Sequence, residues 1–523
     1  MTKFYRRLAL FLVVLLALPL GAFAQIAPDE STLVIAQTVD VVTFEPYQSS
    51  SRPEANIYSH VWITLLSVTP DGDIIPYAAE SYTVSDDGTE YTFTLREGLT
   101  CHDGAPLTAD DVVFSFQRAN DPDNGFTGNI AGFVMNSLGY RDVRLDGELQ
   151  ATVILNGPQP VAPGLFAEVY LICRESYEPL SLEEAAQRPI GSGPYRFVEW
   201  VPDDYLLLER YEDFSLEPGN FDRLVWRVIP EASTRVAELL AGNVDIVANV
   251  PPDQVTVINN SGVAEAQVVA GTRRIYVGFS FNEEAFGDAP GFDAIQNTDV
   301  RIAMNMAVDV PTICETLLSF SCERANGLVN PPNHNRNIEP YPYDPARAEE
   351  ILDAAGYPRG EDGVRFSITL QAPRGRYVND ANVALAIGQY LSDVGIDTTV
   401  ELIEWAEYVP LIRTQTAGPL FFLGTGGATW SAIYDMADLS SVTGSTNYTQ
   451  WSNPEWFDNW PIMLAATGDE QRALIDYMLE VFFNDPPWLM LYFQPDFYGV
   501  SNRIDWEARR DEKIDVRDAS LAQ

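Results

Sequence analysis

The feature that most narrows the fold is an alternation of strand and helix signals along most of the chain. Residues 32–36 (TLVIA) form an apolar run of strand length, and residues 91–95 (YTFTL) alternate with period two behind the turn-forming Asp86-Asp87-Gly88. Thr108 opens a helical pattern with Asp110 and Asp111 in its first turn, where acids complement the helix dipole, and Val112, Val113 and Phe116 share a face. Another helix begins near Ser233, presents Val236, Leu239 and Leu240, stops at Gly242 and feeds a strand over 244–247. The pattern predicts further helices over 300–307, 345–355 and 381–394, the last two ending in Ala-Gly and Val-Gly stops. Alternation on this scale, with no short repeat and no low-complexity linker, predicts α/β lobes.

The N-terminus reads as an export signal. Lys3, Arg6 and Arg7 precede an apolar run over 8–20, and Ala22-Phe23-Ala24 has the small-x-small pattern of a cleavage site, which puts the mature start at Gln25. The run is shorter than the ~20 apolar residues a spanning helix needs. No cysteine lies near the cleavage site, so no lipid anchor is expected and a Gram-negative periplasm is the predicted location. Removing residues 1–24 from a chain of 523 still leaves too much for one core and predicts two or three domains.

The net charge of −43 repels nucleic acid and anionic membranes, so neither is an expected partner. It reads as a heavily solvated surface suited to salt, in preference to a field tuned for cationic ligands. An oxidising compartment permits disulfides among Cys101, Cys173, Cys314 and Cys322. Cys314 and Cys322 are close enough to staple a short loop, with Cys101 and Cys173 pairing across a longer span. The other two connectivities stay open. With no CxxC and only His60, His102 and His334, neither a zinc site nor any other metal site is expected.

Several segments together resemble one family. Residues 71–119, containing SYTVSDDGTEYTFTLREGLTCHDGAPLTADDVVFSFQRA, are similar to the long N-terminal signature of the peptide/nickel class (family 5) of extracellular solute-binding proteins of ABC importers. Pro189 to Tyr195 (PIGSGPY) and the following RFVEW resemble its second landmark. Residues 229–247, 300–309, 341–358 and 387–396 match in the same order. In physical terms these are fold determinants. Gly191 to Pro194 suits a tight backbone crossing, and Asp344 and Pro345 suit a helix N-cap and first helical position.

The resemblance implies a two-lobed α/β binding protein of type II, with an extra subdomain inserted in the first lobe. It places the first lobe in 25–70, 190–272 and 488–523, the insertion in 71–189 and the second lobe in 273–487. Gly271-Thr272 and the stretch 486–493 are then candidate hinge crossings. The implied function is capture of a peptide or peptide-like solute by lobe closure and delivery to an inner-membrane ABC permease, by a monomer without cofactor. An oligosaccharide or other small solute is the alternative, and a secreted hydrolase the remote one.

No catalytic constellation supports the hydrolase. His102-Asp103 lies in a signature loop and reads as structural. Gly424-Thr425-Gly426-Gly427 lacks the GK[ST] ending of a phosphate loop, and neither HExxH nor GxSxG occurs. So few histidines also disfavour nickel or haem, leaving only metal chelates held by arginine.

Relatives that hold dipeptides use an Arg-x-Tyr for the ligand carboxylate, and counting back from Val394-Gly395 aligns Arg374, with Arg376 and Tyr377 beside it. Guanidinium binds carboxylate bidentately, so the chemistry is apt. The family's Gly-Trp-x-x-Asp, whose acid takes the ligand's amino group, is absent after Gly424. Trp430 and Asp435 are the displaced candidates. A sugar site would need stacked aromatics, which Trp405, Trp430, Trp451, Trp456 and Trp460 could supply, although most read as core or rim.

Overall fold

A computed structural model describes residues 26–49, 51–318, 322, 324–330, 333–426, 431–441 and 446–523. The signal-like residues 1–24 lie outside them. Local signals become elements within a residue or two. The strands are Thr32–Gln37, Glu90–Leu95 and Ile246–Ala248, and the helices Ala109–Asn120, Ala232–Leu240, Thr298–Met306, Pro345–Ala354 and Asp380–Asp393. Thr108 caps its helix as expected: its N–H donates to Asp111 at 2.7 Å, closing a capping box. Asp344 accepts from the Arg347 N–H at 2.9 Å, with Pro345 leading the helix.

Ten strands form one sheet that runs through both lobes. In the first lobe Thr32–Gln37 lies between Arg223–Val228 and Ile246–Ala248, parallel to both. In the second, Phe366–Arg374 lies between Ile396–Glu404 and Leu420–Gly426, again parallel. Parallel pairs need crossover connections, which explains the strand–helix alternation in the sequence. A separate four-stranded antiparallel sheet is built from Ala79–Val84, Glu90–Leu95, Gln150–Leu155 and Tyr140–Gly147. It is the extra subdomain of the first lobe.

Two long antiparallel strands join the lobes. Ala264–Phe279 starts beside the first lobe and ends paired with Leu420–Gly426, while Trp488–Ser501 runs the other way and ends beside Ile246–Ala248. Their ladder breaks between Val269↔Asp496 and Arg273↔Gln494. Gly271 sits in that gap, and Pro495 opposite has no N–H to give. The break falls at the expected Gly271-Thr272 crossing. On the partner strand it lies at 494–496 rather than within 486–493, because Trp488 to Phe493 are still paired with second-lobe residues.

Two of the sequence landmarks contain an arginine that does the same job in each lobe. Arg235 donates to the carbonyls of Ile229, Pro230, Ala248 and Asn249. Arg301 donates to those of Ile295, Gln296 and Pro486. Each satisfies carbonyls that buried loop ends would otherwise leave unpaired.

The four cysteines stand in two pairs at disulfide distance, Cys101 with Cys173 and Cys314 with Cys322. The first pair ties the signature loop close to the PIGSGPY crossing. There Ser192 and Gly193 both donate N–H to the Val61 carbonyl, at 3.0 and 2.8 Å. His102 belongs to the same junction. Its Nδ1 accepts from the Gly191 N–H at 3.1 Å, so the proton sits on Nε2, 3.0 Å from the Gly193 carbonyl. Burial pulls its pKa down to about 4, which keeps the ring neutral and structural.

A Cβ on Gly191 would lie 1.8 Å from the Val61 carbonyl oxygen, a backbone atom that cannot step aside. Gly191→Ala should therefore destabilise by at least ~2 kcal/mol in chemical denaturation. Gly157→Ala, with nothing within 4 Å, should change stability by less than ~0.5 kcal/mol. Equal midpoints for the two variants would refute the packing argument.

Candidate functional site

Between the lobes lies a cavity of about 260 Å³. The first lobe supplies Arg52, Ala55 and Tyr58 from the first turns of helix Arg52–Val61, with Glu168 and Tyr170 from a loop. The second supplies Arg376 and Tyr377, the helix Trp405–Arg413 and the strand end at 423–426. Arg273, just past the break in the crossing ladder, also lines the cavity. The lobes touch at its edge, where the Phe133 and Tyr434 rings meet edge-on with centroids 5.4 Å apart.

Arg273 is committed within the protein. Its Nε and Nη2 each donate to Glu512 at 2.7 Å, and Nη1 donates to the Gly424 carbonyl at 3.1 Å. Burial works against its charge, but Glu512 outweighs burial and holds the guanidinium above its ordinary pKa. Arg52 is held up in the same way, Glu168 foremost among the acids that outweigh its burial. Asp496 faces the same cluster with its Oδ2 unpartnered among the described residues. Burial first, and Glu512 second, push the pKa of its carboxyl well up.

Arg376, like Arg52, forms no ion pair with an acid among the described residues, but it differs from Arg52 and Arg273 in the direction its pKa is moved. Its guanidinium lies 5.1 Å from the Tyr377 ring centroid and 5.5 Å from that of Trp405, and no carboxylate pairs with it among the described residues. Burial, and then the positive Arg273, pull its pKa below the ordinary value. The loop carrying it is rigid: Asp380 accepts the N–H groups of Gly375, Arg376 and Tyr377 at 3.0, 2.8 and 3.0 Å. Tyr377 donates its hydroxyl to the Gly424 carbonyl at 3.1 Å.

The other expected ligand residues fall elsewhere. Arg374 ends its strand with a side chain 55% exposed, 3.8 Å from Glu404, and does not line the cavity. The end of the strand explains this, since Arg374 is still in register with Glu404 while Arg376 has entered the loop anchored by Asp380. Asp435 is fully buried, 2.7 Å from Arg274 and accepting the Asn330 N–H at 2.9 Å. Asp438 completes the triad at 2.6 Å from Arg274. Trp430 and Gly427 lie outside the described residues. Of the remaining tryptophans, Trp405 lines the cavity, Trp451 and Trp456 are core, and Trp460 packs against that core. Arg52, Glu168, Arg273 and Arg413 went unread. For Arg273 a signal existed, an arginine two residues after the crossing glycine in a chain short of cations.

The model of the bacterial extracellular solute-binding proteins, family 5, matches residues 73–447. The chain belongs to that family. It is 27% identical to heme-binding protein A of Haemophilus influenzae over 456 residues, covering 83% of this chain and 81% of that one. It is 24% identical to the glutathione-binding protein GsiB of Escherichia coli over 505 residues, 92% of each chain. In fold it is similar to the periplasmic binding protein DppA of Helicobacter pylori in complex with peptide STSA, with a TM-score of 0.83, 20% identity, and 94% and 98% of the two chains covered. Family members are solute-binding proteins of ABC importers rather than enzymes. Among the described residues no helix is long and apolar enough to cross a membrane.

Asp435 tests the distinction between a ligand contact and an internal ion pair. Asp435→Asn leaves Arg274 short of charge in the interior and should cost about 3 kcal/mol in urea unfolding, the order measured when a buried pair loses one partner. Solute affinity of the folded variant should stay within twofold of wild type. A large affinity loss at unchanged stability would return Asp435 to the ligand site.

Proposed function

We propose that this protein is the exported, monomeric solute-capturing component of an ABC importer. It holds a small peptide or peptide-like acid between its lobes and presents it to an inner-membrane permease. Residues 1–24 act as a cleaved signal, and the mature protein works in the periplasm. The observation that carries the ligand class is the charge of the cavity. The chain has 75 acidic residues against 32 Lys and Arg, yet the charged groups lining the cavity are Arg52, Arg273, Arg376, Arg413 and Glu168. A basic cavity inside an acidic protein suits an anion.

Arg376 is the carboxylate anchor in this reading, in place of Arg374. Its fork is bound to no acid among the described residues, it lies over the Tyr377 and Trp405 rings, and a planar fork can pair with both carboxylate oxygens. The cavity is at the small end of the ~300–1,000 Å³ usual for ligand sites, which favours a dipeptide or modified amino acid over a long peptide. Solute touching both walls shifts the lobes toward closure by its preference for the closed form, with the ladder break at Gly271 as hinge.

Native mass spectrometry of the purified protein identifies retained solute, and calorimetry with dipeptides and their C-terminal amides tests the anchor. Arg376→Ala should weaken acid binding ~100-fold, about 2.7 kcal/mol, with the melting temperature nearly unchanged. Arg374→Ala should bind normally. If wild type holds acid and amide equally and Arg376→Ala binds normally, the carboxylate reading fails and a neutral solute such as an oligosaccharide replaces it.

A further inference from the structure

The helix Trp405–Arg413 shows more of the solute than its carboxylate. Trp405, Val409, Ile412 and Arg413 all line the cavity. Their spacing of four, three and one puts them along one side of a helix, so the wall they make is an apolar stripe. A cation stands at each end of the stripe. Arg376 lies over the Trp405 ring at the helix start, and Arg413 closes the last turn. From residue 405 to residue 413 the helix rises ~12 Å, so the two guanidiniums reach toward groups somewhat closer than that. The first-lobe wall opposite carries Tyr58, Ile130 and Tyr170 together with Arg52 and one acid, Glu168.

We infer that the solute is a two-ended anion: one negative group sits at Arg376, an apolar middle lies on the Trp405–Val409–Ile412 stripe, and a second negative group sits at Arg413. This rests on the carboxylate reading above and extends it. Arg413 is exposed and pairs with no acid among the described residues. Two acids in the cavity region are already neutralised inside the protein, Glu512 by Arg273 and Glu168 beside Lys513 at 3.4 Å. Arg376 and Arg413 are the cations that flank the stripe, and Arg52 on the first-lobe wall has Glu168 as its foremost acidic neighbour. A bland role for Arg413 is to complement the carbonyl end of its own helix, which would affect stability and leave ligand preference untouched.

The probes are the dipeptides Asp-Leu and Asn-Leu, which differ by one carboxylate at nearly equal size. Calorimetry on the mature wild-type protein should show Asp-Leu binding about fivefold tighter or more, the scale of a partly exposed ion pair. The preference should shrink as sodium chloride is raised. Arg413→Gln should bring the two dipeptides within ~2-fold of each other by weakening Asp-Leu more than Asn-Leu, and Arg413→Lys should keep the preference. Arg376→Gln should weaken both. Equal wild-type affinities, or a preference that survives Arg413→Gln, overturn the second anion. If Arg376→Gln still weakens both peptides in that case, the carboxylate reading stands without it. Failure of both dipeptides to bind wild type at millimolar concentration overturns both readings.

Discussion

The ion pair between Arg273 and Glu512 is the constraint on which the rest of the cleft depends. Arg273 stands where the crossing ladder resumes, paired to Gln494 on one side and Gly426 on the other. Glu512 comes from the C-terminal tail, after the chain has returned to the first lobe. One guanidinium therefore binds a first-lobe tail and the Gly424 carbonyl of the second lobe at once. Bidentate geometry makes this a strong pair, and removing either partner would strand a charge in a dry place. With its fork occupied, Arg273 acts on solute only through its field. That field bears on Arg376, whose charge it disfavours until an anion arrives.

Much of the fold was legible because its determinants are short in range. The capping box at Thr108 and the proline start at residue 345 each depend on neighbours within four residues, and the structure has both. The PIGSGPY crossing was legible as a need for glycine, although its partner, the Val61 carbonyl, could not be read from pattern. The candidate site was far less legible. Arg374 and Arg376 differ by two positions, and what separates them is where a strand ends and a loop anchored by Asp380 begins. Asp435 looked available because its captor, Arg274, is distant in sequence. Arg52 and Glu168 reach the cleft only through tertiary packing of a helix and a loop that carry no ligand motif.

The electrostatic contrast between surface and cleft has a kinetic consequence. A surface of net charge −43 repels an anionic solute at long range, while the arginines attract it at short range. Salt shortens the reach of both, to a Debye length of ~8 Å at physiological ionic strength. Surface repulsion acts over long distances and is screened first. The cleft attraction acts at contact, between low-dielectric walls, and survives better. An acidic surface and a basic cleft are therefore compatible in a salty medium, where the first supports solubility and the second selects.

Closure follows from the same balance. The direct contact between lobes at the cleft edge, Phe133 on Tyr434, is one edge-on aromatic pair, worth ~0.5–1.5 kcal/mol beyond its burial. A micromolar solute brings ~8 kcal/mol in total. Only the part of that energy that differs between open and closed forms can drive closure. A solute bound solely to Arg376 and the Trp405 stripe would touch one lobe and close nothing. The first-lobe wall must contribute, and what it offers is Tyr58, Tyr170, Arg52 and Glu168. In the two-ended reading the charged ends would fix the solute on the second lobe, and its apolar middle, meeting the first-lobe rings, would make the closed form the better binder.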